Sequence, residues 1–344
     1  MKLPSEPRIG IVLLSAVGDV VHALPIVNAI KRHRPQSKIT WLLQDAGAAL
    51  IQGHPAVNEI LLFQRRAGAA GWIKMAMELA HRPLDVVLDL QCYFKATLLT
   101  AMCRAPIKIG LDPARAREFN WLANNRHLSP KPLGHVQEHF LEFLDYLEIP
   151  REPMEWNLGP WPEEKPWQEN FFRTISRPRV ALVAGTSNPK KDWIPDSWVR
   201  LNDALRDQFG LSTILVGAKS PRETALGQKL AAECRHPPVN ALGSGLRRLV
   251  SILAGCDLVI SPDTGPLHLA GALQKPVIGL YGYNSPARVG PWRQDPALLV
   301  DAFHDPGEKP QMSFRHRPGR MSRITVEDVL AKVEIWKKGR GQNR

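Results

Sequence analysis

The stretch RIGIVLLSAVGDVVHALPIVNAIKRHRPQSKITWLLQ (residues 8–44) decides the fold. It begins with a continuous apolar run, residues 8–16, that is typical of a strand buried on both faces. A helical period of apolar residues follows, and three cations suited to the end of a helix precede Pro35. The run at 38–44 predicts a second strand. The stretch is therefore a strand-helix-strand unit, the building block of a parallel sheet.

The same alternation continues along the chain and restarts once. Because 344 residues exceed the usual size of one hydrophobic core, two domains are expected. Residues 150–166 contain five prolines and no helical or strand period, so they predict a linker. Further strands are predicted at 59–63, 84–90, 107–111, 179–185, 212–218, 256–262 and 275–282. We therefore predict two α/β domains with mostly parallel sheets, residues 1–160 and 167–324, followed by a C-terminal helix and tail at 325–344.

The charge of the chain favours an anionic partner. With 45 Lys and Arg against 33 Asp and Glu, the net charge is +12, which suits nucleic acid, an acidic membrane surface or a phosphorylated substrate. Residues 1–165 are nearly neutral, with 19 basic and 17 acidic side chains, so the second half carries most of the excess. Residues 311–323 hold four arginines and no acid. That composition suits either a solvated loop or a contact with an anionic surface.

Cysteine spacing and hydropathy exclude several classes of protein. The four cysteines have no metal-ligand spacing, so we predict reduced, mostly buried thiols and no metal site. No apolar run approaches the ~18 residues that a spanning helix needs. The first apolar run is short and leads directly into a helix, which favours a strand over a signal peptide. We expect a cytoplasmic protein and, without basic stripes interleaved with aromatics, no nucleic-acid partner.

The first of three polar segments follows the first predicted strand. Gly18 permits a tight turn there, and Asp19 arrives in the first turn of a helix. A carboxylate at this position either caps the helix or serves as a general base at the rim of the sheet, and the residues alone leave both readings open. His22, one helical turn later, either reaches the same space or packs.

Two more segments place phosphate-binding groups at strand ends. VAGTSNPKKDW (183–193) ends a strand with hydroxyls and lysines that suit phosphate oxygens. SPDTGPLHLAGALQKPVIGLYG (261–282) leads from a strand into a helix whose first amides can seat a phosphate. Its lone histidine, His268, by itself indicates packing more than function. The sequence contains neither a Walker A loop nor a GxGxxG fingerprint.

Together, in this order and spacing, the segments resemble one family, the ADP-heptose:lipopolysaccharide heptosyltransferases of glycosyltransferase family 9. The residues that carry the resemblance are GDVVHALPIVNAIKRHRP (18–35), KKDW (190–193) and DTGPLHLAGALQKPVIGLYG (263–282). Intervening blocks, at 89–99, 114–128 and 135–147, are also similar to the family, and the resemblance extends over about residues 8–300.

The resemblance implies the GT-B fold, two Rossmann-like domains facing across a cleft, with the acceptor in the first and the nucleotide sugar in the second. It implies that Asp19 is the general base, which takes the proton of the acceptor hydroxyl while that oxygen attacks the heptose and expels ADP with inversion. The donor-binding residues that it implies are Thr186, Ser187, Lys191, Glu223, Asp263, Thr264, Gly265, Leu267 and His268. The acceptor-binding residues that it implies are Gly18, His22, Arg65, Arg66, Lys95, Arg117 and His135.

The resemblance also implies the partners. No cofactor or metal is expected, since ADP-heptose is a co-substrate and Lys191 with helix amides meets the charge of the leaving diphosphate. The acceptor is a lipopolysaccharide precursor, Kdo-lipid A or heptosyl-Kdo-lipid A, reached by peripheral contact with the cytoplasmic face of the anionic inner membrane. Two alternatives stay open: a family relative with another nucleotide sugar or acceptor, and a non-catalytic basic membrane-associated adaptor. A nucleotide-sugar epimerase is not supported, because the group of acidic and histidine residues typical of such an enzyme is not apparent in this sequence.

Overall fold

The structure, a computed structural model, describes residues 4–342, and the chain divides after Leu158 into two compact units. Each unit contains one six-stranded parallel sheet with helices in the connections. Buried Ile, Val and Leu fill the central strands, because a parallel sheet flanked by helices has no solvent-facing side. Within residues 4–342, none of the helices has the length and apolar character needed to cross a membrane.

The first unit has the sheet order β3-β2-β1-β4-β5-β6, all parallel. Its strands are β1 (Arg8–Val12), β2 (Lys38–Leu43), β3 (Glu59–Leu62), β4 (Val86–Asp89), β5 (Ile107–Gly110) and β6 (Arg126–His127). Its helices are α1 (Val17–His33), α2 (Asp45–Ile51), α3 (Gly68–Ala80), α4 (Phe94–Met102) and α5 (Val136–Tyr146). A 3-10 turn, residues 120–123, lies between β5 and β6 and packs on α4.

The second unit has the sheet order β12-β11-β10-β7-β8-β9, also all parallel. Its strands are β7 (Arg179–Val183), β8 (Ser212–Val216), β9 (Val239–Asn240), β10 (Leu258–Pro262), β11 (Val277–Tyr281) and β12 (Leu299–Asp301). Its helices are α6 (Lys165–Phe172), α7 (Pro195–Phe209), α8 (Pro221–Glu233), α9 (Leu246–Gly255), α10 (Gly265–Ala272), α11 (Pro286–Val289) and α12 (Val326–Gln342). Counted within each unit, both sheets have the Rossmann order 3-2-1-4-5-6.

The predicted α/β class, two Rossmann-like units with a C-terminal helix, is confirmed. That final helix is part of the second core, where Val329, Val333 and Trp336 pack with residues of the sheet. The linker prediction for 150–166 was wrong at its end, because α6 begins at Lys165. Proline is tolerated in the first turn of a helix, where its missing N–H has no intrahelical partner, so proline content alone did not exclude a helix there.

The shared strand order tells where each unit binds ligands. In such sheets the crevice opens at the carboxyl ends of the first and fourth strands, where the chain connections leave in opposite directions. In the first unit these strands are β1 and β4, which run toward Asp19 and Lys95. In the second unit they are β7 and β10, which run toward Lys191 and Asp263. Predicted site residues therefore lie at the expected edge of each sheet.

Candidate functional site

Asp19 lies in the first turn of α1, at the carboxyl end of β1. Its Oδ2 accepts a hydrogen bond of 2.8 Å from the backbone amide of Ala16. The side chain is only partly buried. A carboxylate can accept about four hydrogen bonds, so the cap bond by itself does not exhaust its capacity. Capping and general-base chemistry are therefore compatible at this residue.

Gln91, which the sequence analysis did not single out, fixes the loop before Asp19. Its Oε1 accepts from the amide of Leu14 and its Nε2 donates to the carbonyl of Ser15, both at 2.8 Å. Because Gln91 follows β4 and the loop follows β1, the side chain ties together the two strands of the crevice. Its only signal in the sequence was its place directly after a predicted strand.

Arg117 and Tyr93 border the same rim. The Arg117 guanidinium lies 5.9 Å from the centre of the Tyr93 ring, and the Arg117 amide donates to the carbonyl of Cys92 at 3.2 Å. Burial raises the pKa of the Tyr93 hydroxyl, and the charges that act on it include those of Arg117 and Asp19. Lys95 is exposed in the first turn of α4. Two predicted acceptor-binding cations, Arg117 and Lys95, thus lie at the carboxyl end of β4.

The two predicted acceptor histidines have roles inside the first unit. His22 is buried, and its Nδ1 lies 2.7 Å from Oε1 of Gln137, whose Nε2 donates to the His22 carbonyl at 2.8 Å. The His135 ring caps α5, because its Nδ1 accepts from the Gln137 amide at 3.1 Å. The two rings meet edge to face, with centroids 6.4 Å apart. Their contacts with an acceptor stay predictions.

Gly18 and the paired arginines complete the predicted acceptor set. Gly18 lies in the first turn of α1, directly before Asp19. Arg65 and Arg66 are exposed in a 3-10 turn after β3. Since β3 is two places from β1 in the sheet and strands are ~4.8 Å apart, that turn begins roughly 10 Å from the rim around Asp19. The acceptor contacts of these arginines stay predictions.

A buried carboxyl, Asp89, anchors the loop that carries Arg117. Asp89 ends β4, and its Oδ2 accepts from Nδ2 of Asn120 at 2.8 Å and from Nδ2 of Asn124 at 3.3 Å. Burial raises its pKa from 3.8 to about 7, and the hydrogen bonds from the amides oppose that rise only in part. The folded protein therefore holds a proton on Asp89 over a pH range where the unfolded chain has released it.

This difference predicts how stability depends on pH. Between about pH 4 and 7 the folded state binds more protons at Asp89 than the unfolded state, so the free energy of unfolding falls as pH rises, by at most about 1.4 kcal/mol per pH unit. Asp89→Asn should remove this contribution. We expect urea unfolding at pH 5 and pH 7.5 to show a smaller loss of stability in the variant than in the wild type. The exposed Asp45→Asn is the control, and equal pH dependence in wild type and Asp89→Asn would contradict the prediction.

In the second unit, Asp263 is the centre of a buried polar cluster. Its Oδ2 accepts from Nζ of Lys191 at 2.7 Å and from Nδ2 of Asn284 at 2.5 Å, while Nε2 of His268 lies 3.7 Å from its Oδ1. Lys191 follows β7, Asp263 follows β10 and Asn284 follows β11, three adjacent strands. Asn284 was missed in the sequence, and its Oδ1 lies 2.7 Å from Nδ1 of His316.

The charge state of this cluster follows from its contacts. Burial alone would raise the pKa of Asp263, but the adjacent His268 and the charge of Lys191 outweigh it and hold the pKa well below its ordinary value. Asp263 is therefore ionised at neutral pH. An ionised carboxylate repels phosphate. The geometry therefore favours a role for Asp263 in holding Lys191 and His268 in place, and not a direct contact with a diphosphate.

The start of α10 has the predicted strand-to-helix turn, but the predicted donor-binding residues there differ in exposure. Thr264 is the N-cap and Gly265 begins the helix, both partly exposed, so their backbone can approach a ligand. The side chain of Leu267 is fully buried, and its amide already donates to the Thr264 carbonyl at 3.0 Å. The geometry thus gives the Leu267 side chain a core position, and its predicted donor contact stays a prediction.

The loop after β7 is held by two residues that the sequence analysis missed. The amide and hydroxyl of Thr186 each donate to Oδ1 of Asp192 at 2.8 Å. Arg222 pairs with Asp192 and donates to the Thr186 carbonyl at 3.0 Å. Ser187, next in the chain, is exposed. The predicted hydroxyl pair is therefore divided, with Thr186 shaping the loop and Ser187 open to solvent.

Glu223 belongs to a capping box at the start of α8. Its carboxylate accepts from the amide of Ala218 at 2.9 Å and from the hydroxyl of Ser220 at 2.5 Å. It also lines a cavity of about 660 Å³ together with Gly185, Trp193, Arg222, Leu226, Lys229 and Met321. Its predicted ribose contact stays a prediction, now with a structural role beside it. Among residues 4–342, no group of three or more His, Cys, Asp and Glu side chains is arranged to hold a metal ion.

The arginine-rich segment 311–323 is paired within the second unit. Arg317 forms an ion pair with Glu308 at 2.5 Å, and Arg320 and Arg323 each pair with Asp305 at 2.8 Å. Arg317 lowers the pKa of Glu308 to about 2, and Arg320 and Arg323 lower that of Asp305. Three of the four arginines are thus bound to nearby acids, which argues against an open cationic surface here.

The chain is similar to known proteins over nearly its whole length. Residues 72–311 match the family described as Glycosyltransferase family 9 (heptosyltransferase). The chain is 30% identical to the lipopolysaccharide core heptosyltransferase OpsX of Haemophilus influenzae, over 94% of this chain and 95% of that protein. It is 27% identical to lipopolysaccharide heptosyltransferase 1 of Salmonella typhimurium, over 82% of this chain and 90% of that protein.

Solved structures share the fold. A glycosyl transferase family 9 protein from Veillonella parvula has a TM-score of 0.81 at 20% identity, with 98% of both chains covered. The E. coli heptosyltransferase WaaC, solved with ADP-2-deoxy-2-fluoro heptose, has a TM-score of 0.69 at 25% identity, covering 95% of this chain and 99% of that one.

Proposed function

The chain belongs to glycosyltransferase family 9 (heptosyltransferase), and on this premise we propose that it moves L-glycero-D-manno-heptose from ADP-heptose to the lipopolysaccharide inner core, with inversion and without a metal ion. The GT-B fold class predicted from the sequence is confirmed. The observation that carries the proposal is the cluster of Lys191, Asp263 and His268 at the carboxyl ends of β7 and β10. The relative OpsX, which is named for the lipopolysaccharide core, and the WaaC complex with an ADP-heptose analogue support the choice of substrates.

On the donor side, the cluster supplies positive charge for a diphosphate. Lys191 has three N–H groups, so it can keep its bond to Asp263 and still donate to a phosphate oxygen. The first amides of α10, around Thr264 and Gly265, add donors and the positive end of the helix dipole. These groups stabilise the charge that develops on ADP as the bond to heptose breaks, so we propose that no metal ion or cofactor takes part.

On the acceptor side, Asp19 accepts the proton of the attacking hydroxyl. The oxygen forms its bond to the anomeric carbon from the face opposite ADP, and the electron pair of the broken bond leaves with ADP, which inverts that carbon. Gln91 fixes the loop that carries Asp19, since it bonds to both Leu14 and Ser15. Arg117 and Lys95 lie at the same rim and suit the carboxylates of an acidic sugar acceptor. We place the reaction at the cytoplasmic face of the inner membrane, where a lipid-anchored acceptor is reached.

The test is transfer itself. Purified protein is incubated with ADP-heptose and either Kdo-lipid A or heptosyl-Kdo-lipid A, with and without a chelator, and the products are analysed by mass and by NMR of the new linkage. We expect the addition of one heptose to one acceptor, with inverted anomeric configuration and no effect of the chelator. Activity only with another nucleotide sugar would redirect the assignment to a different donor. Absence of turnover with every donor would favour the adaptor, and a chelator effect that Mg²⁺ reverses would contradict metal independence.

A further inference from the structure

The first unit exposes large apolar side chains on three neighbouring elements. Helix α3, helix α4 and the turn around 120–123 each present two large hydrophobic residues to solvent. Their exposed fractions are 60% for Ile73, 58% for Met77, 50% for Phe94, 37% for Leu98, 68% for Phe119 and 63% for Leu122. We call these six residues the apolar face.

The six residues of the apolar face lie on elements that contact one another. Ile73 and Met77 are four residues apart on α3, and Phe94 and Leu98 are four apart on α4, so each pair shares one side of its helix. Helix α4 packs against both α3 and the turn that carries Leu122. The three pairs therefore lie on adjoining parts of one unit, and a patch of this kind marks an interaction site.

The conformation of Phe119 also indicates a role outside the fold. Its φ is 59°, in the left-handed region that a bulky residue enters at a cost of roughly 1–2 kcal/mol. The next residue, Asn120, is bonded to the buried Asp89, so the turn is fixed to the end of β4. The chain thus holds an aromatic ring in solvent on a rigid, strained turn, and the folded unit gains little burial from that ring.

Cations outnumber acids in the part of the chain that carries the apolar face. Between residues 65 and 122 there are nine Lys and Arg and five Asp and Glu, so this part is basic although residues 1–165 are nearly neutral. Exposed cations stand beside each apolar pair, namely Lys74 on α3, Lys95 on α4 and Arg117 before the turn, and one exposed acid, Glu118, lies among them and accepts from the Phe94 amide at 3.0 Å. Apolar side chains with cations at their edge are the chemistry of a surface that lies on an anionic lipid interface.

We propose that the apolar face docks the protein onto a bilayer that contains anionic lipid, with the six side chains entering the interface and the exposed Lys74 contacting lipid phosphates. The inference rests on the proposed function, whose acceptor is anchored in such a bilayer. Helix α4 begins beside Arg117 and Tyr93, at the rim that carries Asp19, so docking brings that rim to the level of the acceptor sugars. The basic segment 311–323 is a weaker candidate for the docking surface, because acids pair with three of its four arginines.

The test measures binding to vesicles that contain no acceptor. Wild type and the variant Phe119→Asn/Leu122→Gln are sedimented with phosphatidylglycerol–phosphatidylethanolamine vesicles and with neutral phosphatidylcholine vesicles. Both changes keep the charge, and Asn tolerates the left-handed conformation. We expect wild type to bind the anionic vesicles and to be released by high salt, and the variant to partition at least about tenfold less, because two large apolar side chains no longer enter the interface.

Matched variants separate this effect from misfolding and from the proposed function. Phe94→Gln/Leu98→Gln should repeat the loss from a different element, while Val239→Gln/Ile335→Gln, two exposed apolar residues of the second unit, should bind like wild type. With a water-soluble, deacylated acceptor the Phe119→Asn/Leu122→Gln variant should transfer at the wild-type rate if the proposed function holds. Vesicle binding without transfer would contradict the proposed function alone, and transfer without vesicle binding would contradict the docking inference alone.

Three outcomes would overturn the inference. Wild-type protein that ignores acceptor-free anionic vesicles has no docking surface of this kind. Equal loss of binding in the apolar-face and Val239/Ile335 variants would show a non-specific effect. Self-association of the wild type by analytical ultracentrifugation, abolished by Phe119→Asn/Leu122→Gln, would assign the face to a second copy of the chain.

Discussion

Asp19→Asn is expected to reduce heptose transfer by about a thousandfold while the affinity for ADP-heptose stays within a few-fold. Asn keeps the size of the side chain and an oxygen that can accept the Ala16 amide, so the start of α1 should be preserved. It cannot take a proton at neutral pH, and the loss of a general base costs roughly 10²–10⁴ in rate. Donor binding is proposed to lie in the second unit, which the substitution does not touch.

The measurement pairs single-turnover transfer with calorimetric binding of ADP-heptose. Asp45→Asn is the matched control, because Asp45 also lies in the first turn of a helix, α2, and is exposed. It should transfer at the wild-type rate. Near-normal turnover in Asp19→Asn would leave Asp19 as a helix cap only. A loss shared by both variants would point to helix stability instead of proton transfer.

Lys191→Ala is expected to weaken ADP-heptose binding by roughly ten- to a hundredfold. The change removes the cation that pairs with Asp263 at 2.7 Å and leaves a buried carboxylate facing the incoming diphosphate. Lys190→Ala is the matched control, since Lys190 lies in the same turn and is exposed. Calorimetry should show an affinity of Lys190→Ala for ADP-heptose within about twofold of the wild-type value.

A double-mutant cycle tests the role given to Asp263. If this carboxylate acts by holding Lys191, Asp263→Asn should weaken donor binding in the wild-type background. In the Lys191→Ala background it should have no further cost, or should restore some affinity by removing the negative charge. Additive losses would show that Asp263 contacts the donor by itself. Unchanged affinity in Lys191→Ala would overturn the diphosphate role of the lysine.

Much of the fold could be predicted from periodicity, and the errors have physical causes. The run at 8–16 predicted one long strand, but β1 ends at Val12. Apolar residues 13 and 14 are buried without being in the strand, because an apolar run reports burial and not ladder pairing. Strands β6 and β9 have two residues each and carry no period at all. Such edge strands exist only because a neighbouring strand offers its backbone groups.

The site residues also fall into those that the sequence could predict and those that it could not. Asp19, Lys191 and Asp263 could be found because each follows a strand that the sequence predicts, and such positions meet at one edge of a parallel sheet. Gln91, Arg222 and Asn284 could not, since each acts through a partner more than twenty residues away that only the folded loops bring within bonding distance. Asp192 bonds to Thr186 within one loop, and no residue pattern in the sequence announces the conformation of that loop. The roles of His22 and Leu267 were equally hidden, because burial of a helix face depends on what packs against it.

The sequence by itself determined the α/β class, the two Rossmann-like units, the resemblance to glycosyltransferase family 9 and the strand ends at which polar residues gather. These features are local or periodic, so they can be recognised from residues that are neighbours in the sequence. Only the tertiary structure decided that Asp263 holds Lys191, that three of the four arginines of 311–323 pair with Asp305 and Glu308, and that six large apolar side chains on three neighbouring elements stay exposed. These features depend on the neighbours that folding supplies, since those neighbours set the charge and the exposure of each side chain.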